Sequence, residues 1–201
     1  PVYTFWDLGT SDATAIVFAQ VIDGKPIIID YHESSGKKIQ DYSVVVNSKS
    51  YKYGGHFAPH DVSKRMLFGD LVSTAKEVGI DFRRVPKTNS VLQDIEICRR
   101  TMRNVYIHQR CEDLLEHLSS YREGSSGRPL HDNHSHAADA FRTMVMGIHL
   151  NLVQAYLTTG ATIKLPNQVG GAEAYVEWDA DGESEKPLWK RFRESNGLLS
   201  D

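Results

Sequence analysis

Several features are missing from this 201-residue chain, and each absence removes a class of protein. There is no G-x-x-x-x-G-K-[ST] sequence, so the chain lacks the phosphate-binding loop of P-loop ATPases. No apolar run approaches the roughly 18 residues of a membrane span, and no basic stretch followed by a short apolar core opens the chain. The sequence therefore predicts neither a P-loop motor nor a membrane protein.

Cysteine and net positive charge are also scarce. Cys98 and Cys111 are too few for a disulfide framework, so both are expected to be reduced, small side chains of the interior. The chain has 23 Lys and Arg against 26 Asp and Glu, a formal net charge of −3. Because Lys and Arg contacts with phosphate supply most non-specific affinity for nucleic acid, any DNA binding must come from local basic clusters.

What remains is the composition of a soluble globular protein, 40% hydrophobic and 24% charged. Residues 2–8, 13–22 and 26–33 have strand composition and are separated by the turn sequences GTSD and DGK, which indicates an antiparallel meander. Helices and strands then alternate, over 39–51, 56–58, 70–78, 82–85, 91–102, 105–107 and 112–118, with Asn89 or Ser90 as a helix cap. The order predicts an α/β fold, a mixed sheet flanked by helices.

The most informative residue is Asp7, which ends the apolar run VYTFW and precedes a Gly-Thr-Ser turn. A carboxylate at the end of a core strand is costly to bury unless it is paired, hydrogen-bonded or bound to a cation, so it calls for a partner. Asp61 follows a second short strand, which Pro59 is expected to close because proline cannot donate to a strand ladder. The two acids therefore occupy comparable strand ends.

Asp139 is a third acid of interest, in the segment DNHSHAADAFRTMVMGIHL. A helix is predicted over residues 135–158, and Asp139 falls in its first or second turn, where the helix dipole favours an ionised carboxylate. Three hard oxygen donors are typical of Mg²⁺ or Mn²⁺ sites, and two such ions roughly 3.5–4 Å apart can hydrolyse a phosphodiester. The candidate helix caps are Asp132, Asn133 and Ser135, and the predicted buried stripe is Ala138, Phe141, Val145, Ile148, Leu152 and Ala155.

Several residues near these acids are weaker candidates for metal binding. Asp12 follows Gly-Thr-Ser and readily bonds its own backbone in a turn, so a metal role is its less favoured interpretation. Asp132 and His136 are candidate additional ligands whose roles the pattern leaves open. His131, His134 and His136 could ligate zinc, but no C-x-x-C or H-E-x-x-H frame accompanies them, so a structural zinc site is not expected.

The order of these motifs carries a family resemblance. DLG, then HD after a short strand, then SHAADAFR resembles the nuclease domain of the large terminase subunit of tailed double-stranded DNA phages, whose closing pattern is sH-x-x-DA-[LF]-R. The match runs from about residue 2 to residue 150, and KTNSVLQDIEICRR and CEDLLEHLSSYR are similar to the family's middle section. The resemblance implies a ribonuclease H-like fold in which Asp7, Asp61 and Asp139 are the three metal-binding acids.

The resemblance also implies an activity and a set of partners. A member of this family is expected to be an endonuclease that cuts concatemeric phage DNA at the start and end of genome packaging, using two Mg²⁺ or Mn²⁺ ions. Its expected partners are double-stranded DNA, the portal protein, the small terminase subunit and the ATPase domain of the same subunit, which would lie outside this sequence. Its expected location is the host-cell cytoplasm and not the mature virion.

Two groups of residues are candidates for binding partners. Lys87, Arg65 and Arg84 belong to short basic clusters that could contact DNA, although such clusters are more often solvated surface. Residues 1–160 are expected to form the nuclease domain, and residues 161–201 an acidic linker with a basic-aromatic tail. The tail residues expected to dock on a portal, or alternatively to touch DNA, are Trp189, Arg191 and Phe192.

Two other functions fit parts of the sequence. DLGTSDATAIV is similar to the first phosphate-binding motif of the actin, sugar-kinase and heat-shock ATPase superfamily, but no second DxG turn or glycine-rich adenosine loop is evident. A non-catalytic DNA- or portal-binding module would require the three acids to be structural. Binding of Mn²⁺ distinguishes this last alternative from a nuclease.

Overall fold

The computed structural model describes residues 1–9, 12–62 and 71–153, together with the backbone of residues 175–177. In this part of the chain, seven strands form one mixed sheet with the spatial order β5-β4-β1-β2-β3-β6-β7. The strands are β1 (Val2–Asp7), β2 (Ala13–Ile22), β3 (Lys25–Ser35), β4 (Tyr53–Pro59), β5 (Phe82–Val85), β6 (Tyr106–His108) and β7 (Tyr175–Glu177).

The first three strands form the predicted antiparallel meander. The β2–β3 turn consists of Asp23 and Gly24, both with positive φ, which is the conformation that an Asp-Gly hairpin turn requires. β4 lies parallel to β1, β5 parallel to β4, and β6 parallel to β3, while β7 is antiparallel to β6. This confirms the ribonuclease H-like fold that the sequence predicted.

Helices cover both faces of the sheet, so every residue of β1 is buried. The helices are α1 (Ile39–Ser48), α2 (Leu71–Glu77), α3 (Val91–Met102), α4 (Glu112–Ser120) and α5 (Ser135–His149), with a 3₁₀ turn at Gln109–Cys111 before α4. Phe5 points into the core beneath α3, α4 and α5, whereas its neighbour Trp6 points into the core beneath α1 and α2. Within the described residues, no helix is long and apolar enough to cross a membrane.

Helix α5 differs from the prediction in length and burial. It ends at His149 rather than near residue 158, because Asn151 adopts a φ of +56° and the amide of Leu152 donates to the carbonyl of Gly147, the pattern of a Schellman C-cap. Ala155 lies outside the described residues, and Leu152 lies beyond the helix end. The helix is also buried around most of its surface instead of along one stripe, since Ala137, Ala140, Met144 and Met146 are buried as well.

The predicted caps have mixed outcomes. Ser90 caps α3 by accepting a hydrogen bond from the amide of Gln93. At α5 the N-cap residue is His134, whose amide donates to Oδ1 of Asp132 at 2.9 Å, so none of the three predicted residues, Asp132, Asn133 and Ser135, is the N-cap. Ser135 is instead the first helical residue.

One buried polar chain lies under α1 and α2. The Trp6 indole donates to the Thr4 hydroxyl at 2.7 Å, and that hydroxyl lies 2.7 Å from Nδ1 of His56. Burial, helped by the nearby charge of Arg83, lowers the pKa of His56 to about 4. The imidazole is therefore neutral at physiological pH and is tied into the core by hydrogen bonds.

The segment expected to be a linker includes β7, which pairs with β6 over three positions. The other residues of that segment and of the tail, including Trp189, Arg191 and Phe192, lie outside the described residues. The domain boundary at residue 160 therefore stays a prediction. Both cysteines are free as predicted: Cys111 is buried, and burial raises the pKa of the half-buried Cys98 thiol to about 12.

Candidate active site

Three predicted site residues follow the same edge of the sheet. Asp7 is the last residue of β1, Asp61 comes two residues after β4, and Lys87 comes two residues after β5. β1, β4 and β5 are parallel neighbours, so their carboxyl ends meet at one edge. The backbone thus agrees with the prediction that both acids follow strand ends. It also brings Lys87, a cation, to the same edge.

Asp7 has a partner from the far end of the chain. Its Oδ2 lies 3.0 Å from Nδ1 of His136, in the first turn of α5, which packs against β1 and β2. Both side chains are buried, with residue exposures of 5% and 8%. The hydrogen bond to Asp7 raises the pKa of His136 above its usual value, outweighing the opposite effect of burial. The pair is therefore a buried contact that becomes an ion pair when His136 is protonated.

Asp139 follows His136 by three residues on α5. Each helical residue turns by about 100°, so Asp139 points about 60° away from the direction of His136. Its Oδ1 lies 3.2 Å from the Arg142 guanidinium. Asp139 is thus near the helix face that meets Asp7, but it also borders the side of α5 that faces α3 and α4.

The metal prediction can be tested against the donor groups of the described residues. Carboxylates at Asp7, Asp61 and Asp139 have the right chemistry for Mg²⁺ or Mn²⁺, and Oδ1 of Asp61 is fully buried. Nevertheless, no group of three or more His, Cys, Asp or Glu side chains in the described ranges is arranged to hold a metal ion. The backbone and the donor chemistry fit a divalent cation, whereas the carboxylates of Asp7 and Asp139 as placed pair with His136 and Arg142.

The other candidate ligands are more peripheral. Asp12 is exposed, and its Oδ2 lies 4.0 Å from Nε2 of His131, at the limit of an ion pair. The Asp132 carboxylate accepts a hydrogen bond from the backbone amide of His134. Arg84 and Lys87 are exposed, whereas Arg65 lies outside the described residues.

Sequence reasoning missed a second acid on the same face of the sheet, Glu33. The strand register aligns Asp7 with Ala15 and Ala15 with Glu33, and cross-strand partners point to the same face. The Tyr31 hydroxyl donates to Oε2 of Glu33, and burial together with this bond raises the pKa of Tyr31, so the hydroxyl remains a donor. The alignment of Asp7, Ala15 and Glu33 depends on the pairing of three strands, so it is not visible in the sequence. The spacing of Tyr31 and Glu33 indicates only that these two side chains share a face of β3.

Glu33 is connected to the start of α5 through two histidines. Nε2 of His117, on α4, lies 3.5 Å from Oε2 of Glu33, and Nδ1 of His117 lies 2.9 Å from Nδ1 of His134. Two facing ring nitrogens need one proton between them, so one of the two imidazoles donates to the other. The chain of contacts joins β3, α4 and the residue preceding α5.

Gly9, in the DLG motif two residues after Asp7, lies close to the backbone of Asp12 and Ala13. A Cβ atom at this position would lie 2.3 Å from the carbonyl oxygen of Ala13 and 2.8 Å from that of Asp12. The Gly9 amide donates to the Thr14 hydroxyl at 3.2 Å, which fixes the end of β1 against the start of β2. A side chain here would collide with the backbone at the start of β2.

No family model and no curated protein matches the chain in sequence, but solved structures match it in fold. The nuclease domain of the P22 large terminase has a TM-score of 0.60 at 18% identity and covers 75% of this chain and 81% of that domain. The SPP1 large-terminase nuclease domain, solved with bound Mn, has a TM-score of 0.53 at 17% identity and covers 71% of this chain and 83% of that domain.

A longer protein also matches. A large terminase from a thermophilic bacteriophage has a TM-score of 0.58 at 17% identity over 72% of this chain, and the match spans 38% of the phage protein. At such identities the likeness is one of fold. Over most of its length, this chain is similar in structure to the nuclease domains of phage large terminases.

Proposed function

We propose that this chain is the nuclease domain of a large terminase subunit and that it cuts double-stranded DNA by metal-dependent phosphodiester hydrolysis. The observation that carries the proposal is the position of Asp7 and Asp61 at the carboxyl ends of neighbouring parallel strands, with α5 packed against β1. α5 bears Asp139 within SHAADAFR, the segment that resembles the family most closely. The similarity of fold to terminase nuclease domains supports the same conclusion.

Each residue has a specific role in this proposal. Asp7, Asp61 and Asp139 would hold two Mg²⁺ or Mn²⁺ ions, which when bound activate a water molecule and stabilise the leaving oxygen. His136 fixes the orientation of Asp7 through its 3.0 Å contact. Lys87, on the same edge, would contact a DNA phosphate.

The biological role would follow the terminase family. The domain would cut concatemeric phage DNA when packaging begins and ends, in the host-cell cytoplasm, alongside a portal protein, a small terminase subunit and an ATPase domain. Arg84 would add to the DNA contacts of Lys87. In this proposal the tail residues Trp189, Arg191 and Phe192 bind the portal, because aromatic and Arg side chains dominate interface energies.

Plasmid cleavage tests the proposed function. Asp7→Asn, Asp61→Asn and Asp139→Asn should each abolish cleavage in Mg²⁺ or Mn²⁺, because the substitution is nearly isosteric but removes the charge that holds the cation. Asp81→Asn, an exposed acid outside the site, is the matched control and should cut normally. Circular dichroism checks that all four variants remain folded.

Two outcomes would contradict parts of the proposal. Near-normal cleavage by one of the three variants would remove that residue from the site. Cleavage that persists in EDTA would exclude the metal-dependent mechanism. Calorimetric titration with Mn²⁺ separates the nuclease from a non-catalytic binding module, since only the nuclease should bind the ion through Asp7 and lose binding in Asp7→Asn.

A further inference from the structure

A groove between α3, α4, α5 and the loop over residues 121–130 is lined by more positive than negative side chains. Its volume is about 950 Å³. This local excess contrasts with the net charge of −3 for the whole chain. The groove therefore has the sign that an anionic partner requires. The lining arginines are Arg99, Arg100, Arg103, Arg122 and Arg142.

The carboxylates of the groove neutralise only part of this charge. The three acids that line it are Glu96, Glu123 and Asp139, against five guanidinium groups. The Arg100 guanidinium lies 3.1 Å from Glu96 in an exposed contact that contributes little stability. Among the described residues, neither Arg99 nor Arg122 has an ion-pair partner. A ligand could contact these two cations without breaking an ion pair of the described residues.

The floor of the groove is apolar. Met102 and Phe141 are buried there, while Ile95, Leu118 and Tyr121 are half-buried along its walls. A channel with an apolar floor and a guanidinium rim suits a sugar-phosphate strand, because sugars can lie on the apolar surface while phosphates accept paired hydrogen bonds from Arg. The groove thus matches a nucleic-acid backbone better than an inorganic ion or a purely apolar peptide.

The position of the groove connects it to the proposed reaction centre. Asp139 lines the groove, and His136, one turn earlier on the same helix, contacts Asp7. We propose that the groove holds the phosphate backbone of one strand of the duplex as that strand leaves the scissile phosphate, with Arg99 and Arg122 as its phosphate contacts. The inference rests on the proposed nuclease function and extends it to a second binding surface, on the α3–α4 side of Asp139.

DNA binding without cleavage tests the groove. The full chain carrying Asp7→Asn is titrated, in Mg²⁺ and over a series of salt concentrations, into a short fluorescently labelled duplex, and anisotropy gives the Kd. Arg99→Ala/Arg122→Ala in this background should raise Kd on the order of ten-fold at low salt and make the log-log salt slope shallower by about 1.8, the value for two lost phosphate contacts.

The matched control removes the same charge elsewhere. Lys37 and Lys76 are exposed and belong to the α1–α2 side of the sheet, away from the groove. Lys37→Ala/Lys76→Ala should leave Kd and salt slope nearly unchanged. A salt slope that stays unchanged in the arginine variant, or equal losses in both double variants, would overturn the groove as a strand-binding surface.

The same experiment separates this inference from the proposed function. If the Asp7→Asn protein binds no DNA at all, the groove proposal fails, and the nuclease proposal fails with it only if the wild-type chain also leaves plasmid uncut. If the Asp7→Asn protein binds DNA normally with both arginines removed, only the groove proposal fails, and the cleavage assays with the three Asp→Asn variants still decide the function. Circular dichroism of each double variant ensures that a loss of affinity is not a loss of fold.

Discussion

His136 and Asp7 are separated by 129 positions in the sequence, yet Nδ1 of the imidazole lies 3.0 Å from Oδ2 of the carboxylate. The contact joins the first turn of α5 to the last residue of β1, and both partners are buried. It is the point at which the amino-terminal meander and the closing helix of the core meet through polar atoms. A change to either residue should therefore affect both the electrostatics of the site and the attachment of the helix.

The pKa of His136 should fall in Asp7→Asn. The hydrogen bond and charge of Asp7 raise this pKa above its usual value of about 6.5, whereas burial alone lowers it. NMR titration of the imidazole should show the downward shift. A His136 that titrates identically in both proteins would mean that the contact with Asp7 is not formed in solution.

The same pair predicts the sign of a pH effect on stability. Because folding raises the pKa of His136, its protonated form stabilises the folded chain fully below about pH 6.5, and this contribution is lost as pH rises through the folded-state pKa. The difference in free energy of unfolding between wild type and His136→Asn should therefore shrink as pH rises through that range. Urea denaturation at several pH values measures it.

Thr4→Val should destabilise the fold by about 1–3 kcal/mol. The substitution keeps the shape of the side chain but deprives the Trp6 indole and Nδ1 of His56 of the hydroxyl that both contact. Thr101→Val is the control, because that hydroxyl only donates to the carbonyl of Ile97 in its own helix. Equal effects of the two substitutions in urea denaturation would argue against the buried chain as a source of stability.

His56 should make the fold less stable in acid. Folding lowers its pKa to about 4, so between about pH 6.5 and 4 the unfolded chain binds a proton that the folded chain does not, and stability falls as pH falls. The full effect is on the order of 3 kcal/mol. His56→Asn should flatten this part of the pH profile in urea denaturation, and a profile as steep as that of the wild type would contradict the assignment.

Gly9→Ala should reduce both stability and cleavage. The new methyl group would collide with backbone atoms of Asp12 and Ala13, which cannot move as a flexible side chain can, and overpacking of this kind costs about 1–3 kcal/mol. At Gly55 the nearest atoms that a Cβ would meet, at 3.3–3.4 Å, belong to the end of the Arg83 side chain, so Gly55→Ala is the matched control. Thermal unfolding and plasmid cleavage should separate the two variants.

The local parts of this fold were predictable from the sequence. β2 and β5 begin and end at the predicted residues, because alternation and composition mark strands locally and Asp23-Gly24 marks the hairpin turn. The end of α5 was missed because apolar residues continue the helical spacing past Asn151, whose positive φ ends the helix. An Asn after the last periodic residue predicts a helix end, and here it marks the end of α5 more accurately than the spacing of the apolar residues does.

The site was predictable only in part. The positions of Asp7 and Asp61 at strand ends follow from local patterns, whereas their shared edge depends on β1 and β4 pairing in parallel. Glu33 depends on the register of three strands, and its contact with His117 depends on where α4 docks. No local pattern encodes such contacts, because they arise when distant segments pack together.

Removal of residues 161–201 should leave cleavage intact and abolish binding to the portal. The deletion takes away β7, but that strand pairs with β6 over only three positions at the margin of the sheet. Pull-down of portal by full-length and truncated chains measures docking, and plasmid cleavage measures the nuclease. Equal portal binding by both chains would refute docking by the tail, and loss of cleavage would assign the tail to the catalytic domain.

The strand order gives β7 a further significance. β5, which leads to Lys87, and β7 are the two outermost strands of the sheet, with five strands between them. Glu177, the last residue of β7, therefore lies at the opposite side of the sheet from β5 and Lys87. In the proposed function, the portal contact of the tail and the DNA contact of Lys87 would therefore start from opposite flanks of the sheet.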